Sequence, residues 1–193
     1  MIRPTVVVMV KEPHPGRVKT RLAAGIGRVP AAWWVRHQMA RLLRRLRDPR
    51  WDLMLAVSPD REGLTSRVWP ADLKRLPQGR GDLGQRMARL LARPGPVLVV
   101  GGDIPGITRA HLARALRALA ANDAVFGPAP DGGYWLVGLG PFSPPPGVLQ
   151  GVRWSTPHAL EDSLATLTER RVALVDALDD VDTPDDLKRL FSA

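Results

Sequence analysis

Short apolar, often β-branched runs alternate along this chain with segments of helical periodicity, and that alternation constrains the fold more than any single residue does. Residues 5–10 form a brief β-branched run that stops at Lys11-Glu12-Pro13, which predicts a buried first strand followed by a loop. Across residues 30–47, Val35, Met39, Leu42 and Leu46 recur at helical spacing, with arginines on the opposite face. Residues 51–57 predict a second strand, followed by an irregular Pro- and Arg-rich stretch. Residues 82–93 predict a helix, and 96–100 a third, wholly apolar strand. Thr108 is placed to cap a helix that carries Leu112, Leu116 and Leu119 on one face. Residues 123–126 and 134–139 predict two further strands, and Pro144-Pro145-Pro146 marks a loop or lid. Ser155-Thr156-Pro157 and Asp182-Thr183-Pro184 each set a hydroxyl before a proline, the pattern of a helix start. Strands and helices in this order argue for a three-layer α/β domain with a mostly parallel sheet. Ligands of such sheets sit at the carboxyl ends of strands, near a change in strand order, so chemistry is sought just after strands.

The length of 193 residues, 45% of them apolar, fits one domain over residues 1–193 with a sizeable core. With no cysteine, the chain has no disulfide, thiolate nucleophile, iron–sulfur cluster or cysteine zinc site. Val6 to Val10, the longest aliphatic stretch, is far too short to cross a bilayer, and Lys11 and Glu12 cut off any signal-peptide core. A cytoplasmic protein without membrane insertion is the expectation. The net charge of +9 hides a split of +13 over residues 1–100 and −4 over residues 101–193. A pI near 11.2 invites a nucleic-acid reading. Yet 24 of the 28 basic residues are arginines spread along helix faces, aromatics make up only 5%, and no zinc-finger spacing or basic zipper is present. Nucleic acid is therefore not expected as the main partner.

Four segments have residue types suited to chemistry. After the first strand, Lys11, Arg17, Lys19 and Arg21 place four cations in eleven residues around Gly16, a plausible anion site or else an ordinary solvated loop. Gly101-Gly102-Asp103-Ile104-Pro105 follows the third strand, where Asp103 suits a divalent cation or a turn. In Asp131-Gly132-Gly133-Tyr134, the glycines admit a ligand close to the backbone and Asp131 suits a sugar hydroxyl or base role; a hairpin turn explains the segment equally well. In the acidic run 179–186, Asp185 and Asp186 fit a helix N-terminus, whereas Asp182 either caps or faces the sheet as a second metal ligand. His14, His37, His111 and His158 lack metal-ligand spacing, and Trp33 and Trp34 read as core or interface anchors.

Taken in order, Lys11-Glu-Pro-His-Pro-Gly-Arg-Val-Lys-Thr-Arg-Leu22, Gly101-Gly-Asp-Ile-Pro105, Asp131-Gly-Gly-Tyr134, Trp154-Ser-Thr156 and Val181-Asp-Thr-Pro-Asp-Asp-Leu187 resemble one small bacterial family across essentially the whole chain. That family is the glycosyltransferase-like "transferase 1" group associated with radical-SAM/selenodomain proteins and arsenosugar biosynthesis. It lies in the nucleotide-diphospho-sugar transferase superfamily, and is more distantly similar to molybdenum-cofactor and phospholactate guanylyltransferases. The resemblance implies a three-layer α/β/α GT-A fold with a mostly parallel central sheet. It implies a metal-dependent transferase acting on a nucleotide or nucleotide sugar and a small-molecule acceptor. By the same resemblance Gly16, Arg17, Lys19 and Arg21 handle nucleotide phosphates, with Lys19 catalytic. Asp103 and Asp182 hold Mg2+ or Mn2+. The family pattern also contains Asp131, Gly132, Gly133 and Tyr134, whose role the resemblance does not fix; from the residue types they are expected to contact sugar or acceptor, with Asp131 as a second catalytic group. One departure is visible: GT-A glycosyltransferases often carry Asp-x-Asp after the central strand, whereas Asp103 is followed by Ile104-Pro105. Nucleotidyl transfer from a nucleoside triphosphate to a phosphorylated acceptor, releasing pyrophosphate, is the alternative.

Overall fold

The computed structural model describes residues 2–141 and 144–192. Seven strands among these residues form one sheet, in the order β3-β2-β1-β4-β6-β5-β7. The strands are β1 (Thr5–Lys11), β2 (Asp52–Ser58), β3 (Lys74–Pro77), β4 (Val97–Gly101), β5 (Ala124–Pro128), β6 (Tyr134–Leu139) and β7 (Val172–Leu174). The helices are α1 (Thr20–Ile26), α2 (Arg28–Arg45), α3 (Asp60–Thr65), α4 (Leu83–Leu91), α5 (Arg109–Ala121), α6 (Ala159–Ala165) and α7 (Pro184–Ser192). The β1–β2, β1–β4, β2–β3 and β5–β7 pairs are parallel, and β6 runs antiparallel to both β4 and β5.

β1 shows why the sheet is buried on both faces. Successive side chains of a strand point to opposite sides, so Val6, Val8 and Val10 meet Met39, Leu42 and Leu43 of α2 and Leu112 and Ala115 of α5 in one core. Val7 faces the other way, into a second core with Met87, Leu90 and Leu91 of α4, Val99 and Phe126. The result is the expected three-layer arrangement. Because β1 is flanked by β2 on one side and β4 on the other, the chain reverses its direction of growth between β1 and β4. The loops leaving those two strands open at that switch point.

Several elements differ from the expectation. The irregular stretch after the second strand contains α3 and β3, and α1 and β7 were not foreseen. Residues 155–157 do not start a helix in the expected way. Ser155 has a left-handed φ of 60°, and the helix begins only at Ala159, with His158 before it making no side-chain cap. The second such start holds: α7 opens at Pro184, and Thr183 Oγ1 accepts from the Asp186 amide at 3.2 Å. Thr108 caps α5 by accepting from the His111 amide, and the His111 ring accepts in turn from the Thr108 amide. The three prolines lie in a loop, as expected. Val148 and Leu149 just beyond them are buried in the α4-side core, and none of the three lines the cleft described next.

Candidate active site

The carboxyl ends of β1 and β4 and the amino end of the antiparallel β6 open into a cleft of about 730 Å3, whose walls include Lys11, Lys19, Arg21, Asp103, Asp131, Tyr134, Trp154, Asp180 and Asp182. That volume suits a small-molecule ligand of nucleotide size.

The loop after β1 runs into α1 through Lys19, whose backbone takes a left-handed conformation, φ 44° and ψ 55°. A non-glycine residue meets a steric cost there, so such a backbone persists only where its surroundings fix it. The lysine carbonyl accepts from the Ala23 amide at 2.8 Å as α1 begins. The side chain is 10% exposed, and its ammonium donates to Asp103 Oδ2 at 2.9 Å and to Asp182 Oδ1. Burial alone would lower the lysine pKa, but the charges and hydrogen bonds of Asp103 and Asp182 outweigh it and hold the pKa above its ordinary value. Lys19 is therefore a cation at neutral pH.

Asp103 reaches this point from the end of β4, where the backbone passes close to β1. A Cβ on Gly102 would lie 2.8 Å from the Met9 carbonyl. The other acids arrive from the segment before α7. Val181 is 3% exposed and its amide donates to the Asp103 carbonyl at 3.4 Å, which fastens that segment across the end of β4. The residues on either side of the buried valine turn to the cleft. Among the described residues, Asp103, Asp180 and Asp182 bring one carboxylate oxygen each within 4.8 Å of one another. Asp180 was not among the sequence-derived candidates. Burial, followed by the charge of Asp182, pushes its carboxyl up to about 6, although Lys19 pulls the other way. Asp186 instead serves the helix: its carboxylate accepts from the amides of Asp182, at 3.0 Å, and Thr183, at 2.7 Å.

The remaining candidates fall into two groups. Arg21 lies 3.6 Å from Asp182 and Arg17 lies 3.7 Å from Glu62, both largely exposed on the cleft rim, with Gly16 at the preceding turn. Asp131 lies on the wall opposite, its Oδ1 accepting from the Gly133 amide at 2.9 Å in the turn between β5 and β6, and its charge adds to the upward push on Asp180. Tyr134 lines the cleft with its ring, packed edge-on against Phe126 at 4.9 Å and Trp154 at 6.3 Å. Its hydroxyl accepts from Ser163 Oγ at 3.2 Å, and burial pushes the phenol well above its usual range. Gly132 packs against the Pro157 backbone, where its carbonyl accepts from the Leu160 amide at 3.0 Å. Trp33, expected as an anchor, is 59% exposed and stacks on His37, whereas Trp34 lines the cleft.

Residues 41–156 match the model of a family described as "Uncharacterized protein conserved in bacteria (DUF2064)". This chain belongs to the DUF2064 family. It is similar to a protein of Desulfovibrio desulfuricans G20 described as a "putative nucleotide-diphospho-sugar transferase", with 30% identity, 99% of this chain and 87% of that one covered, and a TM-score of 0.89. The fold alone is shared with Rv0371c of Mycobacterium tuberculosis H37Rv in complex with manganese, at 19% identity, full coverage of both chains and a TM-score of 0.54. It is likewise shared with 4-diphosphocytidyl-2C-methyl-D-erythritol synthase of Anaerococcus prevotii, at 11% identity, 97% coverage of each chain and a TM-score of 0.57. No curated protein matches the DUF2064 chain at a significant level. The expected nucleotide-diphospho-sugar transferase fold is thus the observed one, and no described helix is long and apolar enough to cross a membrane.

Proposed function

We propose that this chain is a divalent-metal-dependent transferase that works on a nucleotide-diphosphate sugar and hands the sugar to a small-molecule acceptor. One observation carries the reading: three carboxylates and a buried ammonium converge in a cleft at the switch point of the sheet. The donor set fits Mg2+ or Mn2+, since it offers only hard carboxylate oxygens. Asp103, Asp180 and Asp182 would hold the ion, which when bound offsets negative charge on the departing diphosphate.

The chain's own groups account for the rest. Lys19, held by its left-handed backbone, presents one cation to the phosphates from a fixed position. Arg17 and Arg21, on the rim beyond Gly16, offer guanidinium forks that match phosphate oxygens. Asp131 on the far wall orients or deprotonates the acceptor hydroxyl, with Gly133 and the ring of Tyr134 shaping the pocket for sugar or acceptor and Gly132 holding the turn against Pro157. The 30% identity to a chain described as a nucleotide-diphospho-sugar transferase supports sugar transfer. The assignment to the "transferase 1" group linked to arsenosugar biosynthesis rests on the motif order given above.

A second reading, nucleotidyl transfer, uses the same parts on a nucleoside triphosphate. It is favoured by the origin of the acids in two distant segments, Asp103 and the pair 180 and 182, in place of one Asp-x-Asp after β4. Binding and product measurements separate the two. Sugar transfer requires Mn2+-dependent stabilisation by a sugar nucleotide, loss of that effect in Asp103→Asn, and no pyrophosphate from triphosphates. Pyrophosphate release from a triphosphate in the presence of a phosphorylated acceptor selects the second reading. Metal-independent binding in the natural protein and in Asp103→Asn alike overturns both.

A further inference from the structure

Helix α2 carries five arginines and one histidine in 18 residues and no acid. Helix α5, packed on the same face of the sheet, adds three arginines and again no acid. The inner side of α2 is taken up by the core through Met39, Leu42 and Leu43. Val29, Trp33, Arg36, His37, Arg41 and Arg44 recur at helical spacing on its outer side, and all six are exposed. Arg36, Arg41 and Arg44 make no ion pair or side-chain hydrogen bond among the described residues. The opposite face of the sheet differs. There Arg86 and Arg89 of α4 are tied to the carbonyls of Gly81 and of Gln78 and Arg80, and Asp162 of α6 holds Arg153 through both oxygens.

The cationic face begins with an apolar pair. Val29 is 55% exposed and Trp33 59%, one helical turn apart. The indole is held in place: His37 stacks on it with ring centroids 5.4 Å apart, and the His37 Nδ1 donates to the Trp33 carbonyl at 2.8 Å. Removing an indole and a valine from water is favourable only against an apolar phase. The backbone of a nucleic acid offers anions to such a face but no apolar phase. A bilayer interface offers both: phosphodiester headgroups for the guanidinium forks, and a boundary layer in which indole rings settle.

We propose that the outer face of α2 is a docking surface for a bilayer that contains anionic lipid. The helix, about 27 Å long, lies along the membrane. Arg36, Arg41 and Arg44 meet headgroup phosphates, and Val29 and Trp33 enter the layer just beneath them. No span is involved, since the contact uses one side of one helix. The anionic leaflet attracts the arginines, and the apolar pair adds a contribution that salt does not screen. Trp34, the next residue along, lines the cleft, so a docked molecule holds the cleft mouth beside the headgroups. The contact is independent of which group the cleft transfers.

The test is cosedimentation of the full chain, at near-physiological salt, with vesicles of phosphatidylcholine alone and of phosphatidylcholine containing one-third phosphatidylglycerol. Affinity for the anionic vesicles is expected to be at least about tenfold higher. Arg36→Gln combined with Arg41→Gln lowers that affinity roughly twentyfold, or about fivefold for each arginine. The charge-matched control, Arg170→Gln combined with Arg171→Gln between α6 and β7, lowers it by less than about threefold. Trp33→Ser lowers it about fivefold with no change in net charge. Equal binding to both vesicle types, binding to neither, or equal losses in the two arginine pairs overturns the proposal. So does a Trp33→Ser protein that binds like the natural one, because a face that works by charge alone suits nucleic acid as well. Tighter binding of that face to a DNA duplex than to the anionic vesicles assigns it to nucleic acid and overturns the proposal too.

Discussion

The ammonium of Lys19 stands 2.9 Å from Asp103 Oδ2 and bonds Asp182 as well, so a tethered cation bridges two of the three grouped carboxylates. A divalent ion entering that group meets a like charge a few ångströms away, and such a charge weakens binding by an amount that grows as the site becomes drier. Replacing the lysine with a neutral side chain of similar length relieves this repulsion. Lys19→Met is expected to bind Mn2+ about tenfold more tightly than the natural protein when no nucleotide is present. It should also lose affinity for pyrophosphate. Electron paramagnetic resonance titration of free Mn2+ measures the first effect; unchanged affinity would mean that the ammonium and the ion do not compete.

Asp180 provides a pH signature of the same cluster. Its carboxyl is pushed up to about 6 by burial and by Asp182, against about 3.9 in an unfolded chain. Between those values the folded state binds more protons than the unfolded one, so stability falls as pH rises through roughly 4 to 6, and the penalty is complete above that window. Asp180 is only half-buried, so solvent screening reduces the effect to the order of 1 kcal/mol. Asp180→Asn is expected to raise the melting temperature at pH 7 and to flatten the slope of stability between pH 4 and 6, read from urea melts across that range. A parallel slope in both proteins would place the titration elsewhere.

The arginine surplus has a structural share that composition alone left unassigned. The Arg75 guanidinium donates to four backbone carbonyls: Gly63 at 3.3 Å, Leu64 at 3.0 Å, Ser66 at 2.7 Å and Trp69 at 3.1 Å. Arg45 does the same for Pro105 and Ile107. A planar fork with five donors can collect carbonyls from one irregular segment, whereas an ammonium has three donors on a single atom. Arg75→Lys keeps the charge and is expected to cost about 1–2 kcal/mol in urea unfolding. Full stability in the lysine variant would mean that water replaces the lost bonds.

Much of this was legible beforehand, for physical reasons that also explain the gaps. β1, β4 and β6 are buried on both faces, so their apolar runs are continuous and easily read. β3 has the single aliphatic Leu76 between Arg75 and Pro77, and β7 has three residues, which leaves no periodicity to detect. Asp103 and Lys19 stood out because each follows a strand within a compact motif. Asp180 did not, because five acids between residues 179 and 186 look alike until Val181 is known to be buried. The available signal was the apolar residue between two acids, which turns both flanking carboxylates to the same side.

Gly132 joins two walls of the cleft and tests how tightly they are coupled. It has a φ of 84°, and a Cβ there would fall 2.1 Å from the Pro157 carbonyl oxygen, a backbone atom that cannot swing away. Gly132→Ala therefore combines left-handed strain with a steric clash, and about 3 kcal/mol of destabilisation is expected. For a chain of this length that is a fall of roughly 10 °C in Tm. Gly133 is the control. Its φ lies outside the left-handed region, and an added Cβ would meet only the movable Asp131 carboxylate, at 3.1 Å. Gly133→Ala should thus lower Tm by much less while disturbing the Asp131 carboxylate. Differential scanning calorimetry of the two variants gives the comparison; equal losses would show that the turn between β5 and β6 shifts freely, and that the contact with Pro157 does not hold the two walls in register.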